Sequence, residues 1–322
     1  MKIHIPNSAF LGNIETFISD FNPHDDTVLE ISANPKWTSI HPLVVSMIVS
    51  LAIEVKRKGG KIVCPEITAR SKPYLKRIGL TDYIEADGTY EIEEHESSGK
   101  FIKATVIKTS TELNRFITDM VPLLHTSPEQ ADPIKYVISE LVRNALEHSW
   151  AKDGAVITAQ YFPKSNRVSI GVADRGVGIL NALEKTWKPA NDASAMDLAL
   201  TPGITGITKK LGGSPDNGGF GLFFTKSIAK ISRQFFLIYS GKSMFKLLKT
   251  KEDKKPVLFA RPTDDRSTRK VNLPHWEGTA VGLDISLSKD ENFQGLLNAI
   301  YAVYKLDKKE KKKEKYKKPI FK

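Results

Sequence analysis

The sequence contains a single cysteine, Cys64, in 322 residues. One thiol excludes an intrachain disulfide framework and a metal cage built from cysteines. Long apolar runs are absent too, because the best candidate, residues 43–55, is interrupted by Ser46, Ser50 and Glu54. A membrane-spanning helix needs about 20 predominantly apolar residues, so none is expected. The N-terminus also lacks the basic segment and apolar stretch of a secretory signal, and we therefore expect a cytoplasmic protein.

Excess positive charge is scarce except at the end of the chain. The net charge is +11, and residues 305–322, with ten lysines and three acids, account for +7 of it. Such a segment is usually a solvated, disordered end, which is the interpretation we prefer. Loose binding to nucleic acid or to an acidic membrane through phosphate groups is the alternative. Aromatic residues hardly interleave with these lysines, so no base-stacking platform is indicated.

Residues 1–110 alternate between short apolar runs and helical patterns. "TVLEIS" from Thr27 and "KIVCPE" from Lys61 are predicted strands, and the long segment from Ile40 between them is a predicted helix closed by two glycines. "SKPYLKRIGLTDYIE" predicts a second, shorter helix that ends near Gly79. This alternation favours a small α/β layer. We expect His41 to start the long helix and Cys64 to lie in the core.

The segment "DPIKYVISELVRNALEHS" predicts an amphipathic helix, with Asp132 as its N-cap and Pro133 at its first position. Glu140, Asn144 and His148 lie one turn apart along the edge of its apolar face. Polar residues at such an edge often only meet solvent. The other interpretation is a site in which Asn144 gives an oxygen to Mg²⁺ and Glu140 orients or deprotonates a nucleophile. The helix alone leaves both open.

"RVSIGVADRGVGI" predicts a half-buried strand that ends in Asp174 and is followed by Gly176 and Gly178. Two glycines let backbone and ligand approach closely, since no Cβ intervenes. Asp174 is suited to accept a hydrogen bond from an exocyclic amine. Taken alone, the pattern is weak, because aspartate and glycine are also ordinary turn residues.

A second glycine-rich stretch, "GGSPDNGGFGLFFTKSIAKIS", leads through Gly219 and Gly221 into a predicted helix. Backbone N–H groups at a glycine-opened helix N-terminus form an anion site, and phosphate is the obvious ligand. A loop with glycines only for flexibility is the alternative. "GKS" from Gly241 lacks the upstream glycine of a Walker A motif, and no G-x-G-x-x-G occurs, so P-loop and Rossmann proteins are disfavoured.

In this order, the helix with E-x-x-x-N-A, the D-x-G-x-G and the G-x-G-L resemble the GHKL ATPase superfamily. It includes DNA gyrase, heat-shock ATPase chaperones, histidine kinases, mismatch-repair ATPases and anti-sigma-factor serine kinases. The resemblance covers residues 111–288 and implies an α+β two-layer sandwich of the Bergerat type, within the α/β class, that holds ATP between helices and a mixed sheet. Residues 180–218 would form the ATP lid, 249–274 an insertion loop or mobile hairpin, and 289–322 a C-terminal helix and lysine-rich tail.

The resemblance also implies ATP and Mg²⁺ as cofactors and assigns roles to individual residues. Asn144 would coordinate Mg²⁺, Asp174 would read the adenine amine, and Glu140 would act as base toward water or a hydroxyl group. Further contacts to the nucleotide would come from Gly176 and Gly178 beside the adenine, from Gly219, Gly221 and Leu222 against the phosphates, from Thr279 in support of Asp174, and from Lys209 or Lys210 when the lid closes. For each lysine we prefer a solvated side chain, and for His148 an imidazole that bonds nearby backbone.

Residues 1–110 resemble STAS-like regulatory domains through the helix from Ile40 and "YLKRIGLTDYIE" from Tyr74. This resemblance implies a protein partner, and Ser39 and Ser46 are candidates for a phosphorylated serine. Three functions stay open: a slow ATPase acting as a regulatory switch, a serine protein kinase, and a nucleic-acid-associated protein that clamps or forms a homodimer with ATP. A nucleotide-free adaptor is the remaining alternative, and a sensor histidine kinase is disfavoured because no transmembrane segment or paired-helix phosphoacceptor is evident.

Overall fold

The computed structural model describes residues 1–23, 27–84, 101–120, 127–206, 219–287 and 293–316. A seven-stranded sheet dominates it, with strand order β11-β10-β9-β12-β8-β7-β6 and antiparallel pairing throughout. Its strands are β6 (Phe101–Ile107), β7 (Ala155–Phe162), β8 (Arg167–Asp174), β9 (Phe236–Gly241), β10 (Ser243–Leu247), β11 (Ser267–Lys270) and β12 (Trp276–Ser286). Helices cover both faces of this sheet, and the fold is mixed α/β as expected.

The N-terminal region contributes a second, parallel sheet in the order β1-β3-β5 and a two-stranded pair, β2 with β4. These strands are β1 (Lys2–Ile5), β2 (Ser8–Ala9), β3 (Val28–Ala33), β4 (Ser39–Ile40) and β5 (Lys61–Val63). The helices of this region are α1 (Glu15–Ile18), α2 (Pro42–Arg57), α3 (Lys72–Arg77) and α4 (Thr81–Ile84). The predicted strands and helices are therefore confirmed here, whereas the STAS-like assignment stays a prediction.

One face of the large sheet carries the remaining helices. They are α5 (Ser110–Met120), α6 (Pro128–His148), α7 (Gly178–Trp187), α8 (Asp192–Ala199), α9 (Gly221–Ile231) and α10 (Phe293–Tyr316). Helices α6, α7 and α9 contact β12, and α6 also contacts β7 and β8. Among the residues described above, no helix is both long and apolar enough to cross a membrane.

Helix α2 covers the other face and packs across β7, β8 and β12. It has no ordinary solvent-facing side, since 13 of its 16 residues are buried. Gly171 of β8 permits the close approach, because a Cβ there would lie 2.1 Å from the backbone nitrogen of Leu43. The N-terminal region and the large sheet consequently share one hydrophobic core.

This packing corrects two expectations. Strand β8 is not half-buried, because α2 covers the face that bears Ser169 and Gly171, and seven of its eight residues are buried. Ser46 is a poor candidate for phosphorylation, since it is fully buried and its hydroxyl hydrogen-bonds with Gly171 O at 2.9 Å and with Thr158 Oγ1 at 3.0 Å. Its position on a helix hid this, because the partners are more than 100 residues away in sequence.

Two further residues of this region match their predictions in part. His41 is the N-cap of α2, as expected, and its Nδ1 accepts a hydrogen bond from Leu43 N at 3.0 Å. Its Nε2 lies 3.3 Å from Asp284 Oδ1 on β12, so the helix start is tied to the large sheet. Cys64 is only partly buried and lies at the edge of the core rather than within it.

Helix α6 begins earlier than predicted. Its first residue is Pro128, and Ala131 N donates to Ser127 O at 2.9 Å, so the first turn precedes Asp132. Pro133 therefore lies inside the helix rather than at its first position. The Ser127–Pro128 pair offers the same helix-start signal as Asp132–Pro133, which explains the error.

The edges of the predicted regions also differ from the structure. Strand β6 precedes residue 111 yet pairs with β7 in the large sheet, while the domain boundary itself stays a prediction. Within the predicted insertion, β11 pairs with β10 as an edge strand. The expected disorder of the lysine-rich end is wrong for residues 305–316, which continue α10. Lysine and glutamate are good helix formers, so that sequence extends a helix already begun.

Candidate functional site

A cavity of about 260 Å³ lies between α6, α7 and α9 and the strands β8 and β12. It brings together residues predicted from three separate motifs. The predicted residues that line it are Glu140, Asn144, His148, Asp174, Gly178, Gly219, Gly221, Leu222 and Thr279. Lys209 and Lys210 lie outside the described residues. Because it borders the described part of the predicted lid, the cavity has the location expected for a nucleotide site.

Asp174 occupies the end of the cavity where β8 ends. It is 3% exposed, and its Oδ1 accepts a hydrogen bond from Gly176 N at 2.9 Å. Burial raises the pKa of Asp174 to about 7, although hydrogen bonds from the backbone of Gly176 and Thr279 and from Ser149 oppose the rise. A carboxylate held this way can accept further hydrogen bonds, and an additional donor would stabilise its ionised form.

Gly176 was predicted to lie beside the adenine, but its position favours a different role. Gly176 does not line the cavity, and it instead caps the Asp174 carboxylate from behind through its N–H. The next residue, Val177, donates its N–H to Ser149 O at 2.7 Å. This turn fixes Asp174 to the end of α6, whereas Gly178 faces the cavity.

The opposite end of the cavity combines α6 with the start of α9. Glu140 and Asn144 face Gly221, where a Cβ would lie 2.3 Å from Glu140 Oε2 and 3.4 Å from Asn144 Nδ2. A larger residue at this position would displace the Glu140 carboxylate from the corner. The N-terminus of α9 presents backbone N–H groups and the positive end of the helix dipole to this corner.

Asn144 and Glu140 are both partly buried at this corner. Within the described residues, Asn144 Nδ2 is buried and has no hydrogen-bond partner. Burial raises the pKa of Glu140, and the Arg143 guanidinium, 3.6 Å away, acts against that rise. Unsatisfied buried polar groups cost free energy, so this corner is built for a polar ligand.

His148 lies one turn beyond Asn144 and also lines the cavity. Burial lowers its pKa, and Glu147 opposes this effect through its charge and a backbone hydrogen bond. The imidazole is therefore predominantly neutral near pH 7. Its hydrogen bond to the backbone of Glu147 agrees with the expectation of an imidazole that bonds nearby backbone.

Several residues of the site were missed from sequence. Ser149 supports Asp174 and holds the following turn. Ser240 accepts from Ile179 N at 3.0 Å and donates to Gly278 O at 2.7 Å, so it joins the start of α7 to β12. Both are ordinary residues at element ends with no motif of their own. Phe220, between the two predicted glycines, could have been found from its position in the motif.

Helix α10 is attached to the outside of the cavity wall. Phe220 and Tyr136 both line the cavity. The Phe220 ring packs edge-to-face on Tyr304 at 4.5 Å between centroids, and Tyr136 packs on Phe293 at 5.9 Å. The C-terminal helix thus stabilises the corner where α6 meets α9.

The comparisons with known proteins agree with this geometry. Residues 102–231 match the family described as a histidine kinase-like ATPase domain. That segment contains α6, the D-x-G-x-G motif at Asp174 and the glycine-rich stretch before α9, and it ends before β12. A segment of 89 residues, 28% of this chain, is 33% identical to the anti-sigma F factor of Clostridium acetobutylicum. The chain spans about half the length of this relative, 54%.

The residues present fit ATP and Mg²⁺. Asp174 supplies an acceptor for an amine, and the start of α9 supplies donors for phosphate. Asn144 Nδ2 has no partner within the described residues. If the amide is flipped, the side-chain oxygen takes the place of Nδ2, and this oxygen is a suitable ligand for a hard cation. The donor set contains one amide and one carboxylate at this corner, which fits Mg²⁺, since that ion takes few protein ligands and retains phosphate and water.

Proposed function

We propose that the protein binds Mg²⁺-ATP in this cavity, hydrolyses it slowly, and uses the nucleotide state as a regulatory switch. The observation that carries the proposal is the buried Asn144 Nδ2, which has no hydrogen-bond partner in the described part of the chain and lies next to Glu140 at the N-terminus of α9. The match of residues 102–231 to a histidine kinase-like ATPase domain supports nucleotide binding independently.

Asp174 would select the base. Adenine carries an amine donor where guanine carries a carbonyl acceptor. An ionised Asp174 accepts only, so it attracts the adenine amine and repels the guanine carbonyl. Gly178 and Thr279 would lie beside the ring, and the hydrogen bonds from Gly176 and Thr279 would hold the carboxylate in place.

Asn144 would hold Mg²⁺ through its side-chain oxygen, while Gly219, Gly221 and Leu222 at the start of α9 would bind phosphate through backbone N–H groups. The metal ion would neutralise charge on the phosphate oxygens. Glu140 would act as general base, because burial raises its pKa and its carboxylate faces the same corner. It would accept the proton of the attacking water.

A second candidate is protein serine kinase activity, favoured by the similarity to an anti-sigma F factor. The same Glu140 would then accept a proton from a serine hydroxyl of a protein partner in place of water. The surface that would receive this partner stays a prediction, as do homodimer formation and nucleic-acid binding by the lysine-rich end.

The first test measures phosphate release from Mg²⁺-ATP and, separately, ATP affinity by calorimetry. Glu140→Ala should abolish release while retaining ATP binding, because the base acts on water rather than on the ground state. Asp132→Ala on the same helix is the control, since Asp132 is exposed and remote from the cavity. Release that persists in Glu140→Ala would refute the assigned base, and no ATP binding by the unaltered protein would refute the function. Binding without release would favour phosphotransfer, to be tested with γ-labelled ATP and candidate protein substrates.

A further inference from the structure

A buried ion pair lies directly behind Asp174, on the side of the sheet away from the cavity. Arg175 Nε is 2.5 Å from Glu54 Oε2 of α2, and the two side chains are 7% and 3% exposed. Arg175 immediately follows Asp174 in the chain. We propose that Arg175, held by Glu54, is a positioning residue that fixes and electrostatically stabilises the Asp174 carboxylate, so that α2 sets nucleotide affinity.

The arginine connects three elements at this point. Its Nη1 donates to Glu277 O at 2.9 Å, and its guanidinium lies over the Trp276 ring at 4.8 Å. Glu277 is two residues before Thr279, whose backbone bonds the Asp174 carboxylate. Arg175 therefore ties the end of β8 and the start of β12, the two segments that hold Asp174, to the last turns of α2.

The charges around Asp174 make this connection electrostatic as well as geometric. The positive charge of Arg175 opposes the effect of burial on the pKa of Asp174. Glu54 partly neutralises Arg175, is itself paired with Lys58 at 3.0 Å, and Glu277 Oε2 lies 3.5 Å from the guanidinium. On the cavity side, the titratable group His148 of α6 lines the same cavity, and the uncharged side chain of Ser149 bonds the Asp174 carboxylate.

Stability alone is a weak reason for this pair. Taking two charges out of water costs several kcal/mol per ion, and their attraction often only offsets that cost. Helix α2 is already held to the sheet by its apolar packing, by Ser46 and by His41. The pair differs from these contacts because it ends at the residue next to Asp174.

The test is the affinity for ADP without Mg²⁺, measured by calorimetry from about pH 5 to pH 9. Affinity should rise with pH as Asp174 ionises. Arg175→Gln should move the midpoint to higher pH, and a shift of about one unit would lower the affinity at pH 7 roughly fivefold. Glu54→Gln should move it the opposite way, because Arg175 loses its counter-charge. A purely structural role would weaken binding at every pH without moving the midpoint.

Two variants serve as controls. Lys2→Gln breaks an exposed ion pair of the same N-terminal region, with Glu30, and should leave the midpoint unchanged. Arg175→Lys retains the charge and should restore a midpoint close to that of the unaltered protein. Coinciding midpoints for the unaltered protein and Arg175→Gln would overturn the inference.

The inference rests on the proposed function, so a second measurement separates the two. Carbon-13 NMR of labelled aspartate in the nucleotide-free protein reports the titration of Asp174 directly, with Asp174→Asn for assignment. If ADP does not bind at any pH, the proposed function fails, and the NMR titration alone decides whether Arg175 stabilises the carboxylate. An Asp174 titration that Arg175→Gln leaves unshifted would refute it even if ADP binds.

Discussion

The two faces of the large sheet are formed by the same strands but differ in what they contact. On the α2 side, Ser46 is paired with Thr158 and Glu54 with Arg175 across the interface, whereas Trp276 Nε1 has no partner within the described residues. On the cavity side, Asn144 Nδ2 has no partner within the described residues, and burial raises the pKa of Asp174. One face thus pairs a helix with the sheet, and the other faces a cavity in which a ligand would satisfy Asn144.

The difference follows from the alternation of side chains along a strand. In β8, Ser169, Gly171 and Ala173 face α2, while Val168, Ile170 and Val172 belong to the core of the cavity side. Small residues on one face allow a helix to lie close, and branched residues on the other pack in the core, where Val172 lines the cavity. A substitution in β8 should therefore have effects that depend on which face it alters.

The largest effect on stability is expected from Gly171→Ala. The added Cβ would lie 2.1 Å from Leu43 N, so α2 must move away from the sheet. We expect a loss of about 3 kcal/mol or more in the free energy of unfolding, measured by urea denaturation. Gly12→Ala is the matched control, because its Cβ would meet only the Phe235 ring at 3.5 Å. Equal stabilities for the two variants would contradict the tight contact between α2 and β8.

An intermediate effect, dependent on pH, is expected from Asp174→Asn. The folded-state pKa of about 7 lies above the usual aspartate value of about 3.9, so the folded state binds the proton more tightly. Stability of the nucleotide-free protein should therefore fall as the pH rises from about 4 to about 7, and Asp174→Asn should remove this dependence.

Denaturation of both proteins across this pH range is the measurement for Asp174. Asp132→Asn provides a control, because its carboxylate is exposed. Parallel curves for the unaltered protein and Asp174→Asn would show that Asp174 titrates normally. Such a result would remove the electrostatic contrast between the two faces.

The smallest effect on stability is expected from Asn144→Ala, which removes an amide whose Nδ2 has no hydrogen-bond partner among the residues the structure describes. The free energy of unfolding should change by less than about 1 kcal/mol. The contribution of Mg²⁺ to ATP affinity should nevertheless fall by about tenfold or more, equivalent to about 1.4 kcal/mol. Calorimetry with and without Mg²⁺ measures this, and an unchanged Mg²⁺ dependence would exclude Asn144 as the ligand.

The sequence was more informative about the cavity than about the α2 side. Motifs such as D-x-G-x-G encode local backbone geometry, so Asp174 and Gly178 could be placed without knowing the fold. The contact of Ser46 with Thr158 spans 112 residues and leaves no local pattern. Ser46, Ser50 and Glu54 are spaced one turn apart, but in the sequence they only interrupt an apolar run, and no local pattern indicates which residues they contact.

The early position of α2 in the chain has a consequence for synthesis. It is complete at Arg57, whereas the strands it covers run from Ala155 to Ser286. During translation its apolar surface emerges about a hundred residues before the first of those strands. Contacts of such high sequence separation form slowly, and apolar surface exposed meanwhile favours aggregation. We therefore expect the nascent N-terminal region to depend on chaperones until β12 has left the ribosome.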